Sequence, residues 1–193
     1  FPATDEIEGV LTNNVGNFIG SNAMNYIAKF KKAERGSKIS FNFAAFFFGP
    51  YWFFYRKLYK AGIVVMTALL AASIVASPYV YKMLEAYEQL LPLLQTETMT
   101  EAQLNEFYTA FTSASYPMVI YFAVSLGLQL ICGFAANSLY KKYVIGHVRV
   151  LEGFGKKQLA VRYIIRNGGA SILIALAAYF ANQLLTMIVS SML

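Results

Sequence analysis

Charged side chains are scarce in this sequence. They account for 13% of its 193 residues, whereas hydrophobic residues account for 58% and the mean hydropathy is +0.48. An ordinary soluble domain is about 25% charged and about 45–50% apolar. The shortage of charge excludes a disordered chain and argues against a soluble enzyme. The length fits one domain, or one domain with an arm.

Residue types that commonly carry chemistry are also scarce. The chain has one cysteine, Cys132, and one histidine, His147, which excludes an internal disulfide and a cysteine or histidine zinc site within these residues. It contains no Gly-x-Ser-x-Gly, Walker or dinucleotide-binding pattern. We expect Cys132 to be a small buried residue and His147 to be solvated in a basic loop. The sequence therefore predicts a non-enzymatic protein with no catalytic residues, no cofactor and no metal site.

Three long stretches contain no Asp, Glu, Lys, Arg or His. They are residues 61–81, 117–140 and 170–193. At 1.5 Å per residue, the shortest extends about 31 Å, which is roughly the thickness of the hydrocarbon core of a bilayer. Buried helices of a soluble protein are the alternative, but the rest of the chain is too short to cover three of them. We predict three transmembrane helices.

The basic residues flank these stretches unequally. Fifteen of the sixteen lysines and arginines lie before residue 61 or within 141–169, and only Lys82 lies within 82–116, which carries five glutamates. Basic residues are retained on the cytoplasmic side of membrane proteins. The N-terminal arm and the 141–169 loop are therefore predicted to be cytoplasmic, and the 82–116 segment and the C-terminus to face outward.

The segments outside the three stretches have helical patterns of their own. The chain begins without a hydrophobic signal-peptide core. Because it also does not begin with methionine, we expect a fragment or a trimmed product. Residues 22–35 predict a short amphipathic helix, which lies on anionic lipid or packs on the protein's own base. Residues 82–116 predict a helical hairpin with a break near 95–100 and a capping box formed by Thr100 and Gln103. Its two helices pack on each other, lie on the outer leaflet or bind a partner.

Aromatic residues are concentrated in one short segment. Eleven of them lie between Phe41 and Tyr59, on both sides of Gly49-Pro50. This segment is too short to span a bilayer, and Gly-Pro interrupts a helix. We predict two short helices that meet at an elbow, in the cytoplasmic interface or re-entering the membrane. The basic residues predicted to bind lipid headgroups from this side are Arg56, Lys57, Lys60, Lys141 and Lys142.

The run Phe41–Trp52, followed by Tyr55–Tyr59, resembles the signature of small bacterial membrane proteins known as domain of unknown function 2628. Ala136-Asn137 and Gly168–Ser171 are similar to the family as well. The resemblance implies a location in the bacterial inner membrane but no activity, because the family has no agreed function. Some relatives carry a cysteine-rich zinc ribbon whose cysteines are absent here, so no metal is implied. The motif positions are Phe41, Asn42, Phe43, Phe48, Gly49, Pro50, Trp52, Tyr55, Gly168 and Gly169.

Small and amide side chains within the spans predict close helix–helix packing. These residues are Ala68, Ala72, Ala76, Gln129, Asn137, Ala177 and Asn182. From these patterns we predict a membrane anchor or scaffold, and the alternative is an oligomeric channel or small-solute transporter, in which the amides line a polar path. The expected partners are membrane lipids, with other membrane proteins or further copies of the chain left open. Nucleic acid is not expected, because lipid headgroups are nearer to the basic loop.

The predicted architecture is all-α and polytopic. Its segments are a cytoplasmic arm (1–38), an aromatic interfacial or re-entrant segment (39–60), a first transmembrane helix (61–81), an extracytoplasmic helical hairpin (82–116), a second transmembrane helix (117–140), a basic cytoplasmic loop (141–169) and a third transmembrane helix (170–193). The expected location is the bacterial cytoplasmic (inner) membrane, crossed several times, with the N-terminus in the cytoplasm.

Overall fold

The computed structural model describes residues 2, 4–36, 40–95, 100–155 and 157–192. The predicted arm boundary at 38–39, the turn of the predicted outer hairpin at 96–99 and the basic residue Lys156 lie outside the described residues. Most of the described residues are helical, which confirms the α-helical class. The elements are β1 (Glu6–Ile7), β2 (Val10–Leu11), α1 (Thr12–Ile19), α2 (Ala23–Glu34), α3 (Phe43–Phe48), α4 (Pro50–Tyr55), α5 (Tyr59–Gln95), α6 (Glu101–Glu152), α7 (Lys157–Asn167) and α8 (Ile172–Met192).

Three helical segments are long and apolar enough to cross a membrane, as the sequence predicts. They are Tyr59–Pro92, Glu101–Glu152 and Lys157–Met192. Helix α5 continues through Pro78, which has no N–H for the carbonyl of Ile74. The hydroxyl of Ser77 donates to that carbonyl at 2.8 Å instead. The carbonyl therefore has a partner within its own helix.

The described residues of 1–65 and 129–182 form one compact unit, here called unit 1. Its centre is the last part of α6, where Ala136, Tyr140, Val144 and Val148 follow one another at intervals of four residues and are all buried. Residues four apart share one face of a helix. The strands β1 and β2, helix α2 and the aromatic segment pack around that face.

The N-terminal arm is folded onto unit 1. Tyr26, Ile27 and Phe30 of α2 are buried, and the ring of Tyr26 lies 4.8 Å from that of Tyr140. Of the two alternatives for this helix, the structure therefore has its apolar face packed on the chain itself. An ion pair between Glu8 and Lys141 joins the arm to α6.

Much of the segment predicted as a basic loop is helical. Helix α6 continues to Glu152, and α7 follows after a short break. The reason is a buried apolar face that runs on through Val144, Val148 and Leu151, while Lys142 and Arg149 are exposed on other faces. The expectation of a solvated His147 is wrong: the residue is half-buried, and its Nδ1 lies 3.0 Å from the hydroxyl of Tyr163.

Residues 66–128 and 183–193, as far as described, form a second compact unit, here called unit 2. Its buried side chains are small, as at Ala76, Ala86 and Ala114, whereas most of its large apolar side chains are exposed. The capping box at the start of α6 is confirmed: the Thr100 N–H donates to Gln103 Oε1 at 3.1 Å, and the Gln103 N–H donates to Thr100 Oγ1 at 3.3 Å. The outer hairpin itself stays a prediction.

Candidate functional site

The aromatic segment forms two short helices that meet at an elbow, as predicted. Helix α3 ends at Gly49, whose φ of 50° lies in the left-handed region that favours glycine. Pro50 then begins α4 at a position where its missing N–H leaves no hydrogen bond unmade. The placement of this elbow relative to a membrane stays a prediction.

Two asparagines that are distant in sequence fix α3 to α6. Asn42 Oδ1 accepts from the Ala45 N–H at 3.0 Å and so caps α3, while Asn42 Nδ2 donates to Asn137 Oδ1 at 2.9 Å. Asn137 Nδ2 donates in turn to the Ser40 carbonyl at 2.6 Å. Both amides are buried, where an unpaired polar group costs about 1–3 kcal/mol. This hydrogen-bonded pair, here called the Asn42–Asn137 joint, therefore links the Phe41–Trp52 run to Ala136-Asn137, two segments that resemble the family.

A glycine in α6 makes room for this joint. The Asn42 N–H donates to the Gly133 carbonyl at 2.8 Å, and a Cβ added at Gly133 would lie 2.3 Å from the ring of Phe41. Our sequence reasoning missed Gly133. The signal that could have found it is its spacing, because a small residue four positions before Asn137 lies on the same face of the helix.

The turn between α7 and α8 contains the predicted motif residues Gly168 and Gly169. A Cβ at Gly168 would lie 2.5 Å from the Phe18 carbonyl oxygen, and the Gly169 N–H donates to that oxygen at 2.7 Å. The Ser171 N–H donates to the Tyr55 carbonyl at 2.9 Å. The two glycines therefore let this turn approach α1 and α4 closely.

Lys57 caps the same turn. Its Nζ donates to the carbonyls of Ile165 at 3.2 Å, Arg166 at 3.1 Å and Gly168 at 2.6 Å. A cation is favourable at the C-terminal end of a helix, where carbonyls are left without intrahelical partners. Burial lowers the pKa of the Lys57 ammonium. Headgroup binding by Lys57 stays a prediction, and these three carbonyls already occupy its donors.

Arg56 lies inside an aromatic cluster. The residue is 4% exposed. Its Cζ lies 4.7 Å from the ring centroid of Tyr26, 5.1 Å from that of Tyr55 and 5.2 Å from that of Tyr140. A cation within about 6 Å of a ring face is attracted by the ring quadrupole. Among the described residues, no carboxylate pairs with Arg56. The rings are its main partners.

The remaining basic residues predicted to bind headgroups differ in exposure. Lys60 and Lys142 are exposed, whereas Lys141 is largely buried and pairs with Glu8. The surface of α3 is apolar: Phe43 is 68% exposed, and Phe47 and Phe48 are exposed to a similar degree. Basic and aromatic side chains thus both occur on the surface of unit 1.

The residues predicted to mediate helix packing also differ. Asn137 is buried, Ala76 is buried, and Asn182 Nδ2 donates to the Tyr51 hydroxyl at 3.2 Å. Ala68, Ala72 and Gln129 are half-buried, and Ala177 is exposed. Within the described residues, no cluster of three His, Cys, Asp or Glu side chains could hold a metal ion.

A cavity of about 610 Å³ lies beside Arg56 in unit 1. Aromatic side chains, including Tyr51 and Trp52, form part of its wall, and Ile172 and Ala175 of α8 form another part. Ser21 and Asn22, which directly precede α2, also line it. The arrangement combines a buried cation, an aromatic and apolar wall, and the start of a helix.

A protein-family model described as "Protein of unknown function (DUF2628)" matches residues 16–145. The match covers 130 of the 193 residues and includes α2, α3, α4, α5 and most of α6. No curated protein and no solved structure matches the chain. The matched region contains the Asn42–Asn137 joint and the aromatic cluster around Arg56.

Proposed function

The chain belongs to the DUF2628 family, and we propose that it is a non-enzymatic anchor or scaffold of the bacterial inner membrane. In this proposal three helices cross the bilayer, and the folded arm with α7 faces the cytoplasm. Anionic lipid contacts the basic and aromatic surface of unit 1, and protein partners contact the arm or the residues of 82–116.

The observation that carries the proposal is the exposed phenylalanine surface of α3. Phe43 is 68% exposed and Phe47 is 70% exposed, and they lie four residues apart on one helical face. Contiguous apolar surface of this kind is uncommon on soluble proteins and is typical of membrane or protein contact sites. Exposed Lys60 and Lys142 supply positive charge in the same unit, which attracts anionic headgroups.

The distribution of charge supports the proposed orientation. Fifteen of the sixteen basic residues belong to segments that the proposal places in the cytoplasm, as the positive-inside rule expects. A channel or transporter, the alternative from sequence, has no specific observation in its favour. Asn137 bonds to Asn42 and Ser40, and Asn182 bonds to Tyr51, so these two amides have partners within the chain.

Cysteine labelling in intact cells tests the orientation. In a Cys132→Ala background, Asn105→Cys and Gly155→Cys place single thiols at an exposed helical position and at a glycine with open space around it. A membrane-impermeant maleimide should label the first in intact cells and the second only after permeabilisation. Labelling of both in the same compartment contradicts the orientation.

Two experiments with the full-length protein test the scaffold role. Cross-linking in native membranes, followed by purification, should recover the same partner repeatedly. The double variant Phe43→Ser, Phe47→Ser should reduce that recovery or weaken the binding of purified protein to anionic liposomes. Ile165→Ser, at an exposed apolar position of unit 1 that does not line the cavity beside Arg56, is the control. Turnover of a lipid or solute flux in liposomes would contradict the proposal.

A further inference from the structure

Arg56 has more hydrogen-bond donors than the described residues satisfy. A guanidinium carries five N–H donors. Its one hydrogen bond within the described residues is a long one, from Nη1 to the Tyr140 hydroxyl at 3.5 Å, and Nε has no partner. Ring faces attract the charge but accept few of these donors. Because a buried charge without a counter-ion is costly, an anion that accepts hydrogen bonds from Arg56 would bind favourably.

The cavity beside Arg56 has the electrostatics for such an anion. None of its described lining residues is Asp or Glu, and the carboxylates of Asp5 and Glu8 pair with lysines elsewhere in unit 1. Helix α2 begins directly after the lining residues Ser21 and Asn22, and Asn22 gives no side-chain cap to its first turn. The N-terminus of a helix carries partial positive charge and free N–H groups.

The wall of the cavity has the chemistry for an apolar group. Trp52 and Tyr51 line it together with Ile172 and Ala175. Its volume of about 610 Å³ is larger than a phosphate group needs and lies within the range of about 300–1,000 Å³ found for sites that hold small organic ligands. The cavity therefore suits a molecule with one anionic end and one apolar end.

We propose that this cavity binds the phosphate group of an amphiphile, with the phosphate at Arg56 and the attached apolar part along the aromatic wall. Phosphate oxygens accept from a guanidinium and from helix N-terminal N–H groups. The ligand is a phospholipid headgroup or a free organic phosphate, which share this chemistry. The inference rests on the proposed function, since it names the anionic lipid site of the anchor.

The fluorescence of Trp52 can measure ligand binding in this cavity. It is the chain's only tryptophan and it lines the cavity. Full-length protein in non-ionic detergent micelles is titrated with dihexanoyl phosphatidylglycerol, with glycerol 3-phosphate and with dihexanoylglycerol, which lacks the phosphate. We expect a saturable change in Trp52 fluorescence with phosphatidylglycerol and little change with dihexanoylglycerol. Equal affinity for glycerol 3-phosphate would show that a free organic phosphate binds without an apolar part, and it would overturn the amphiphile proposal.

Three substitutions test the role of Arg56. Arg56→Gln should weaken phosphatidylglycerol binding about tenfold or more, because a charge-assisted hydrogen bond is lost. Arg56→Lys should retain part of the affinity. Arg162→Gln is the matched control, because Arg162 is exposed on α7 and does not line the cavity, and its affinity should equal that of the wild type.

A fourth substitution keeps the test valid if Arg56→Gln does not fold. Asn22→Asp places a negative charge at the cavity and at the start of α2, where an acidic residue stabilises a helix. It should weaken binding several-fold while the melting temperature is kept. Wild-type affinity in a folded Arg56→Gln overturns the inference, as does wild-type affinity in Asn22→Asp or an equal response to dihexanoylglycerol. If the protein still floats with anionic liposomes in that case, the anchor proposal survives; loss of flotation contradicts the anchor proposal itself.

Discussion

The two units satisfy their polar groups in different ways. In unit 1, hydrogen bonds join residues that are far apart in sequence, such as Asn42 with Asn137 and Lys57 with the end of α7. In unit 2, the hydroxyls of Ser73, Thr112 and Ser115 donate to carbonyls three or four residues earlier in their own helices. A helix of unit 2 can therefore satisfy these groups before it meets another helix.

This difference supports the proposed membrane location, in which the helices of unit 2 contact lipid. In lipid, every backbone polar group must find a partner within the protein, and self-contained helices meet that requirement. Unit 2 exposes its large apolar side chains and buries small ones such as Ala76 and Ala114, which is the pattern of lipid-facing helices. Unit 1 instead depends on shape and on particular partners. Replacing one apolar residue by another should therefore cost little stability in unit 2. The same kind of change should cost more at the close contacts of unit 1.

The largest effect is expected for Gly168→Ala in unit 1. The new Cβ would lie 2.5 Å from the Phe18 carbonyl oxygen and 2.9 Å from that of Ile164, and backbone cannot move aside as a side chain can. Overpacking of this kind costs about 1–3 kcal/mol, and we expect the upper end. For a chain of this size about 3 kcal/mol corresponds to a fall of about 6–12 °C in melting temperature. The melting temperature is measured from Trp52 fluorescence as the protein is heated in detergent.

Gly155→Ala is the control for that prediction. No atom lies within 4 Å of the position of its added Cβ, so the melting temperature should stay within error of the wild type. A Gly168→Ala protein that melts with the control would show that the turn between α7 and α8 is not held against α1.

The second effect is expected for Asn137→Leu. It leaves the buried Asn42 amide and the Ser40 carbonyl without their partner, and we expect the free energy of unfolding to fall by about 2 kcal/mol. Gln129→Leu, on the same helix, removes an amide that has no side-chain partner among the described residues and should cost nothing measurable. If both variants unfold alike in a denaturant titration, the joint does not stabilise unit 1.

A glycine pair in α6 compares the two units directly. Gly133→Ala in unit 1 meets the ring of Phe41 at 2.3 Å, whereas Gly127→Ala in unit 2 meets nothing within 4 Å. The Phe41 side chain can rotate, so we expect a loss of about 1 kcal/mol at 133. At 127 the gain in helix propensity should be at most about 1 kcal/mol. Equal melting temperatures for the two variants would contradict the distinction between the units.

Features with a local cause were predictable from the sequence. The absence of charge over more than twenty residues identifies the three apolar helices, Gly49-Pro50 identifies the elbow, and the Thr100–Gln103 spacing identifies the cap. Each follows from residues within one turn or one span. The continuation of α6 to Glu152 also had a local signal, the apolar spacing after Tyr140, although residues 141–169 were predicted as a loop.

The roles of the basic residues were not predictable, because one side chain has several favourable partners. A lysine or arginine beside a membrane can bind a headgroup, a helix C-terminus or an aromatic ring. The structure gives Lys57 three carbonyls, Arg56 three tyrosine rings and Lys141 a carboxylate. These partners lie far along the chain, so that choosing among them requires the tertiary fold. The contact between Gly133 and Phe41 could not be predicted from the sequence for the same reason.

The smallest effect concerns pH and the arm of unit 1. A hydrogen bond from Lys31 to Asp5 lowers the pKa of that carboxyl below its ordinary value of 3.8. The unfolded chain therefore binds this proton more readily than the folded chain, and the stabilisation is complete above the ordinary pKa and lost as the pH falls through the folded pKa. The difference in melting temperature between the wild type and Asp5→Asn should be constant from pH 7 to about pH 5 and shrink below about pH 4. Added salt should reduce this difference in melting temperature, because the pair is partly exposed.

The control is Glu6→Gln, at an exposed neighbouring position. A difference for Asp5→Asn that persists unchanged to pH 3 would show that the Asp5–Lys31 pair does not hold the arm.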